Sequence, residues 1–373
     1  MIANELIASY LAENLEKNVQ CVMAQVISVE GSAYRREGSK MLIWPSGKYE
    51  GMISGGCLEA DVVEESKKVM ETKRSFVKKY VLDEDLVWGL GLGCPGTVDI
   101  LLELIEPHSR NWRNWVELAH QSTPFISCKK LPANGEEVTS FVVTEEEVIG
   151  LHSEESPWFK EAFETARKKL KERNPKSETR TINSMNEEMQ IFIDVHMPPP
   201  HICIFGAGHD AIPVAQLSHQ LGFRTTVIDG RSAFNTKERF PHAKRVISHP
   251  KEYEFIQDIT PNTFVIVMNH HLDRDIETLK YVLKSNAKYV GVLGPRKRRD
   301  KMLASLEEAN VTFSNAWLEK MHSPIGLDIG AVTPEEIALS ILAEIVAIQK
   351  GHSGGSLKDS FYIHHRPILE VQR

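Results

Sequence analysis

Residues 51–66 read GMISGGCLEADVVEES. Cys57 follows Gly55 and Gly56 and stands where the apolar spacing turns helical. A thiol at a helix start meets unpaired backbone N–H groups and the positive end of the helix dipole, both of which favour thiolate. Such a thiolate could attack a substrate, carry a persulfide or hold a soft metal. A small residue that merely fits a tight turn is the other reading. A nucleophilic hydrolase would also need a base. His108 and His120 are the only histidines before Gly150, and neither lies in a recognisable partner motif. No catalytic residue is therefore assigned.

Two more glycine-rich stretches share this half of the chain. EGSAYRREGSK sets Arg35 and Arg36 between Gly31 and Gly38, and WGLGLGCPGTV carries Gly89, Gly91, Gly93, Cys94 and Gly96. With Gly51, Ser54, Gly55 and Gly56 they make three such loops, more than turns alone require. Successive backbone amides in loops of this kind form anion-binding nests. An arginine fork adds bidentate contacts to phosphate. The combination favours a ligand that carries a phosphate.

The second half has its own glycine turn. ICIFGAGHDA spaces Gly206, Gly208 and Ala211 as G-x-G-x-x-A after a strand and into a helix, with His209 and Asp210 inside the turn. Asp229 ends the next strand. Such a turn lets a backbone approach a pyrophosphate, and the later acid can hold a ribose hydroxyl. Asp210 places a negative charge beside that position, and the turn could equally serve only to pack a helix on a strand. The polar runs MNHHLDRD, GPRKRRD and HSPIGLDIGA each follow a predicted strand or precede the last helix. They should gather at the carboxyl edge of the sheet.

The elements that must position these residues fall into two parts. Pro198 to Pro200 stiffen the chain and cannot donate backbone hydrogen bonds, so the boundary is placed near residue 197. Residues 1–196 read as a mixed α/β domain. CVMAQVISVE, KMLIWPSG, TVDILLELIE, PFISCKKL and VTSFVVTEEEVIG are expected strands. Residues 1–18, 57–74, RNWRNWVELAHQ and 157–173 are expected helices. Residues 174–188 are polar and give no clear element, and no internal repeat is visible. Residues 197–351 alternate strand and helix, which predicts a Rossmann-like, doubly wound parallel sheet. Its last helix opens with Thr333, Pro334 and Glu336, a capping box, and stops at Gly351. Residues 352–373 read as a polar tail.

Bulk properties exclude several classes. Apolar residues make up 42% and charged residues 25% of the 373, which suits a globular protein. No apolar run is long enough to span a bilayer and no signal peptide is evident, so no membrane contact and a cytoplasmic location are expected. Residues 1–196 hold 23 Lys+Arg against 32 Asp+Glu, net −9, and residues 197–373 hold 21 against 19, net +2. Neither part is basic enough for nucleic acid. The five cysteines are scattered, with no C-x-x-C pair, which excludes a disulfide framework, a zinc site and iron–sulfur centres. Cys21, Cys128 and Cys203 lie in apolar strand-like runs and read as core residues.

GSAYRREGSKMLI, GMISGGCLEADVVEES, GLGLGCPGTVDILLE, IFGAGHDAIPVAQL, VIDGR and PIGLDIGAVTPEEIALSILAEIVA together resemble the XdhC/CoxI family. These are accessory proteins of xanthine dehydrogenase and related molybdenum hydroxylases. The resemblance runs from about residue 20 to residue 350. It implies a dimeric cofactor chaperone rather than a turnover enzyme. Such a protein binds the molybdenum cofactor (molybdopterin), promotes its sulfuration by a cysteine desulfurase, and passes it to a xanthine dehydrogenase-type hydroxylase. By matching motifs, Cys57 would contact the metal or its sulfur. Arg35, Ser54, Gly55 and Gly56 would take the phosphate or pterin. Gly206, Gly208, His209 and Asp229 would serve a nucleotide-like part, or NAD(P), or architecture alone. The third loop departs from the family's usual Gly-Leu-Gly-Cys-Gly-Gly: Pro95 stands for a glycine and removes one N–H from that nest. An NAD(P)-dependent oxidoreductase is the competing expectation.

Overall fold

The computed structural model describes residues 2–31, 34–82, 96–121, 123–132, 138–150, 156–172, 175–184, 187–255 and 259–358. The chain forms two compact units, Met1–Pro198 and Pro199–Arg373. The first contains α1 (Ile2–Glu16), β1 (Cys21–Gly31), β2 (Lys40–Ile43), β3 (Tyr49–Gly51), α2 (Glu59–Thr72), β4 (Phe76–Leu82) and β5 (Gly96–Ile105). Then follow α3 (Arg110–Gln121), β6 (Phe125–Lys130), β7 (Thr139–Val143), β8 (Val148–Gly150), α4 (Pro157–Leu170), β9 (Glu178–Ser184) and β10 (Glu187–His196).

The same seven elements thus occur twice in the same order. Among the described residues they build two five-stranded antiparallel sheets, ordered β3-β2-β1-β5-β4 and β8-β7-β6-β10-β9. The expectation of no internal repeat is therefore corrected. Backbone pairing is repeated while residue identity is not. Met23 faces Glu103 across β1 and β5, as Ser127 faces Asp194 across β6 and β10. Gln25 faces Lys40, as Lys129 faces Ser140. Strands pair by backbone, so CVMAQV and FISCKK fill equivalent strands without looking alike.

Each sheet buries its outer face under its own helix. Val62 and Val69 of α2 pack on Val22, Ala24, Val26, Ile100 and Leu102. Phe159, Ala162 and Ala166 of α4 pack on Ile126, Cys128, Ile191 and Ile193. The inner faces meet each other, with Ile27 and Leu101 against Leu131 and Phe192. Cys21, Cys128 and Cys203 are buried. Four strands of this unit escape sequence reading, β3, β4, β9 and β10. Residues 178–184, expected to lack an element, form β9 along the edge beside β10. Its polar side chains suit an edge, where only one flank pairs.

The inner faces also carry charge. Lys40 and Asp194 are fully buried and paired at 2.9 Å, and Lys129 pairs with Glu103 at 2.7 Å. Gln25 Nε2 donates to Asp194 Oδ2 at 2.7 Å, and Lys129 Nζ donates to Gln25 Oε1 at 3.1 Å. Gln25 and Lys129 are equivalent positions, as are Asp194 and Glu103. The contacts are reciprocal, as in an isologous two-fold interface, but lie within one chain.

The second unit contains β11 (His201–Phe205), α5 (Ala211–Gln220), β12 (Arg224–Ile228), β13 (Lys244–Val246), a 3-10 turn (Pro250–Phe255), β14 (Thr263–Val267) and α6 (Leu272–Val282). It continues with β15 (Tyr289–Val292), α7 (Arg296–Glu308), α8 (Asn315–Glu319), β16 (Met321–His322) and α9 (Pro334–Lys350). Every strand pair is parallel, in the order β13-β12-β11-β14-β15-β16. This is the expected Rossmann-like doubly wound sheet, and the N-terminal unit is the expected mixed α/β part. Thr333 and Glu336 make the reciprocal capping box of α9, and Gly351 ends it at φ +73°.

Candidate functional site

Strand pairing brings the glycine loops of the first unit to one end of its first sheet. β1 ends and β5 begins there, with Gly31 facing Gly96, and Leu82 of β4 also faces Gly96. The loop from β1 to β2 closes through Gly38 N–H to Val26 O at 2.9 Å. The loop leaving β3 starts beside it, with Met52 N–H donating to Lys40 O at 3.1 Å. The equivalent end of the second repeat lacks this concentration of glycine, arginine and cysteine. Ser32, Gly89, Gly91, Gly93, Cys94 and Pro95 lie outside the described residues.

The loop from Met52 to Leu58 is built around two side chains. Ser54 Oγ accepts the N–H groups of Gly56, Cys57 and Leu58 at 3.2, 3.0 and 3.0 Å. The same hydroxyl donates to Glu59 Oε2. Glu59 Oε1 accepts the N–H groups of Ile53 and Ser54 at 3.2 and 2.8 Å. Burial alone would raise the Glu59 carboxyl, but the hydrogen bonds from Ser54 and Ile53 hold it below its ordinary value. The open amide nest expected from the glycines is therefore corrected: these five amides already have acceptors. Sequence reading missed Glu59, although an acid in the first turn of a helix is a signal for such a role.

Ser54→Ala should destabilise this turn by about 1–2 kcal/mol, the usual effect of losing a capping hydroxyl. Amide exchange of Gly56, Cys57 and Leu58 is the direct measurement. Unchanged protection at those three amides would mean that the hydroxyl does not hold the loop.

Among the described residues, Cys57 and Arg35 stand out at this end. Cys57 lies two residues before α2, and its thiol is exposed. Arg35 lies against the same loop, with Nη2 at 3.7 Å from Met52 Sδ. Its Nε is buried and has no hydrogen-bond partner. A buried donor without an acceptor costs about 1–3 kcal/mol, so an incoming anion would relieve it. Tyr34 is 74% exposed and its ring lies over Gly55, where an added Cβ would sit 3.5 Å from Cγ. Gly56 adopts φ +105° with open space around it. Arg35, Ser54, Gly55, Gly56 and Cys57 are thus together. Asp99, three residues into β5 from the same end, is a further candidate that the sequence did not suggest. Its Oδ1 is buried without a partner. Burial, helped by Glu30, raises its carboxyl despite Lys79.

The glycine turn of the second unit is a separate cluster. Gly206 has φ +117°, and an added Cβ would lie 2.4 Å from Met268 O and 2.9 Å from Asn269 Cα. This glycine is needed where the ends of β11 and β14 nearly touch. Asp229 is buried, and both of its oxygens are engaged. Oδ2 accepts from Ala207 N–H at 2.8 Å and Arg231 Nη2 at 2.6 Å. Oδ1 accepts from Arg231 N–H and Nε at 2.9 and 3.0 Å. Burial would raise this carboxyl, but the Arg231 and Ala207 hydrogen bonds outweigh it and hold the group low. Arg239 Nη2 donates to the carbonyls of Ala207 and Gly208 at 3.0 and 3.1 Å. Asp210 does not cap α5; it meets His270 Nε2 at 2.6 Å. His209 is exposed beside Gly208. Arg298 is tied to Asp275 at 2.6 Å.

Among the described residues, no helix is long and apolar enough to cross a membrane. None of them form a group of three His, Cys, Asp or Glu that could hold a metal ion. Comparison with known proteins adds relatives to this geometry. Residues 15–81 match the model of the XdhC and CoxI family, and residues 202–345 match the XdhC Rossmann domain. The chain is 30% identical over 340 residues to a probable xanthine dehydrogenase subunit of Bacillus subtilis strain 168, covering 90% of this chain and 95% of that one. It is 21% identical over 344 residues to the molybdenum cofactor insertion chaperone PaoD of Escherichia coli K12, covering 92% and 88%. A crystal structure described as a xanthine dehydrogenase from Bacillus halodurans superposes with a TM-score of 0.75 at 29% identity, over 96% of this chain and 98% of that one. With both halves matched and a near full-length relative at 30% identity, this chain belongs to the XdhC/CoxI family.

Proposed function

We propose that this protein is an accessory factor that binds the molybdenum cofactor at the glycine end of its first sheet and hands it to a xanthine dehydrogenase-type hydroxylase. One observation carries the reading. The exposed Cys57 thiol and the Arg35 guanidinium, whose buried Nε lacks an acceptor, lie on adjoining loops at the same sheet end. The cofactor supplies a soft metal centre and a phosphate. Thiolate suits the first and a guanidinium the second, so the residues present fit the group. Ser54 and Glu59 hold the loop, and Cys57 is presented at its exposed turn. The names carried by the B. subtilis and E. coli relatives point the same way. Sulfuration by a cysteine desulfurase, a homodimeric state and a cytoplasmic location belong to the same reading.

The nicotinamide alternative has less support. Both Asp229 oxygens are taken by Arg231 and Ala207, leaving no free acceptor for a ribose hydroxyl in this arrangement. The glycine at 206 is accounted for by strand packing.

The test is the molybdenum and pterin content of protein purified anaerobically from cells that make the cofactor. Wild type should carry both in equal amounts. Cys57→Ala should fold normally and lose at least about tenfold of the bound molybdenum, the effect of about 1.4 kcal/mol in binding. Equal molybdenum in the two proteins rejects the thiol contact. NAD(H) in place of pterin rejects the chaperone reading.

A further inference from the structure

The two buried ion pairs between the sheets share Gln25 as a partner but otherwise touch different things. Lys129–Glu103 contacts Gln25 and the Trp112 indole, both inside the core. Lys40–Asp194 reaches the loops. Lys40 Nζ donates to Gly38 O at 3.1 Å, at the foot of the Arg35 loop. The backbone carbonyl of Lys40 accepts Met52 N–H at 3.1 Å, at the start of the Cys57 loop. Asp194 comes from the second repeat, and so does Ser177, which donates to Asp194 Oδ1 at 3.3 Å. Ser177 Oγ also packs against Gly38, where an added Cβ would lie 2.8 Å away. At the position equivalent to Lys40 the second repeat has Ser140.

We infer that Lys40 is a positioning residue for both loops, and that the second repeat, through Asp194, holds them in their ligand-receiving arrangement. The inference rests on the reading of these loops as the cofactor site. Lys40 touches no ligand in this scheme. Its ammonium fixes the foot of one loop directly; the start of the other hangs on the main-chain carbonyl of the same residue, a bond any residue could make, so the side chain acts there only by holding the strand end in place. Asp194 fixes the ammonium. The repeat that lacks the glycines, the arginines and the exposed cysteine acts as the clamp for the repeat that has them.

The Lys129–Glu103 pair provides a control built into the same core. Two double variants of the full chain are compared, Lys40→Met with Asp194→Asn, and Lys129→Met with Glu103→Gln. Replacing both partners of a pair avoids leaving a lone buried charge. Two readouts are taken under native conditions. One is amide exchange at Gly38 and Ser39, at the foot of the Arg35 loop, whose N–H groups donate to Val26 O and Arg36 O. The other is amide exchange at Met52. The Lys40/Asp194 variant should speed both by about fivefold or more through local opening, while the Lys129/Glu103 variant changes them by less than about twofold. Similar changes in both variants would show a merely structural role and overturn the inference. No change in either would overturn it as well. Molybdenum retention is not the readout, so a failure here is separate from a failure of the cofactor site.

Discussion

Replacing Asp194 alone with alanine will destabilise the N-terminal unit by about 3–5 kcal/mol, the range expected when one partner of a buried pair is removed. Asp194 is wholly buried and accepts from Gln25, Lys40, Ser177 and His196. Alanine leaves an ammonium and an amide inside the protein with their main acceptor gone. Five of the six tryptophans lie before residue 199, so urea unfolding followed by tryptophan fluorescence reports this unit. A loss below about 1 kcal/mol would mean that water enters the core and screens the pair. The same cluster sets a pH dependence. Burial pushes His196 down to about 4, although Asp194 opposes the shift. The folded unit thus keeps the imidazole neutral while the unfolded chain protonates it below about 6.5. Stability is therefore lost as pH falls from about 6.5 towards 4, by roughly 3 kcal/mol at about 1.4 kcal/mol per unit. Asp194 is itself held low, so it adds a second loss below the ordinary aspartate range.

Gly206→Ala will have the largest effect in the second unit, about 4 kcal/mol or more, or a failure to fold. The added Cβ would meet Met268 O at 2.4 Å, Met268 C at 2.7 Å and Asn269 Cα at 2.9 Å, at a φ of +117°. All three neighbours are backbone atoms of the adjacent central strand end, so no rotamer can relieve the clash. Gly208→Ala is the comparison. Its Cβ would meet only side-chain atoms, the Asp210 carboxylate at 2.7 Å and the His270 ring at 3.3 Å, which can shift together at the cost of their exposed contact, so its effect should stay near about 1 kcal/mol. Equal, small losses in thermal unfolding of the two variants would return Gly206 to the role of a ligand-approach glycine.

The parallel sheet was legible because its strands are short apolar runs separated by helical spacing, and the α9 caps are local signals. The N-terminal unit was only half legible. β4 and β9 are edge strands rich in polar and charged residues, so they lack the apolar run that marks a buried strand. The duplication was invisible because equivalent positions hold Gln25 and Lys129, or Lys40 and Ser140, which share only their place in a ladder. The candidate site followed the same division. Glycine, arginine and cysteine spacing indicated which loops matter. It did not reveal that Ser54 and Glu59 fill the amides, because a side chain's partner depends on how the loop closes. Asp229 shows the same limit: its position at a strand end was evident, its bond to Arg231 was not.

The way Ser54 and Glu59 occupy the Cys57 loop bears on release as much as on capture. A carrier returns to its empty form after every delivery. A loop of bare amides would then be short of acceptors, prone to collapse or to hold any passing anion. Here the amides are satisfied by Ser54 and Glu59 with no ligand needed. On the proposed reading, affinity would be left to two side chains, Arg35 and Cys57, which can turn away from a departing ligand while the backbone stays in place. If these loops hold the cofactor as proposed, such a site would exchange its cargo with a client protein without refolding between rounds.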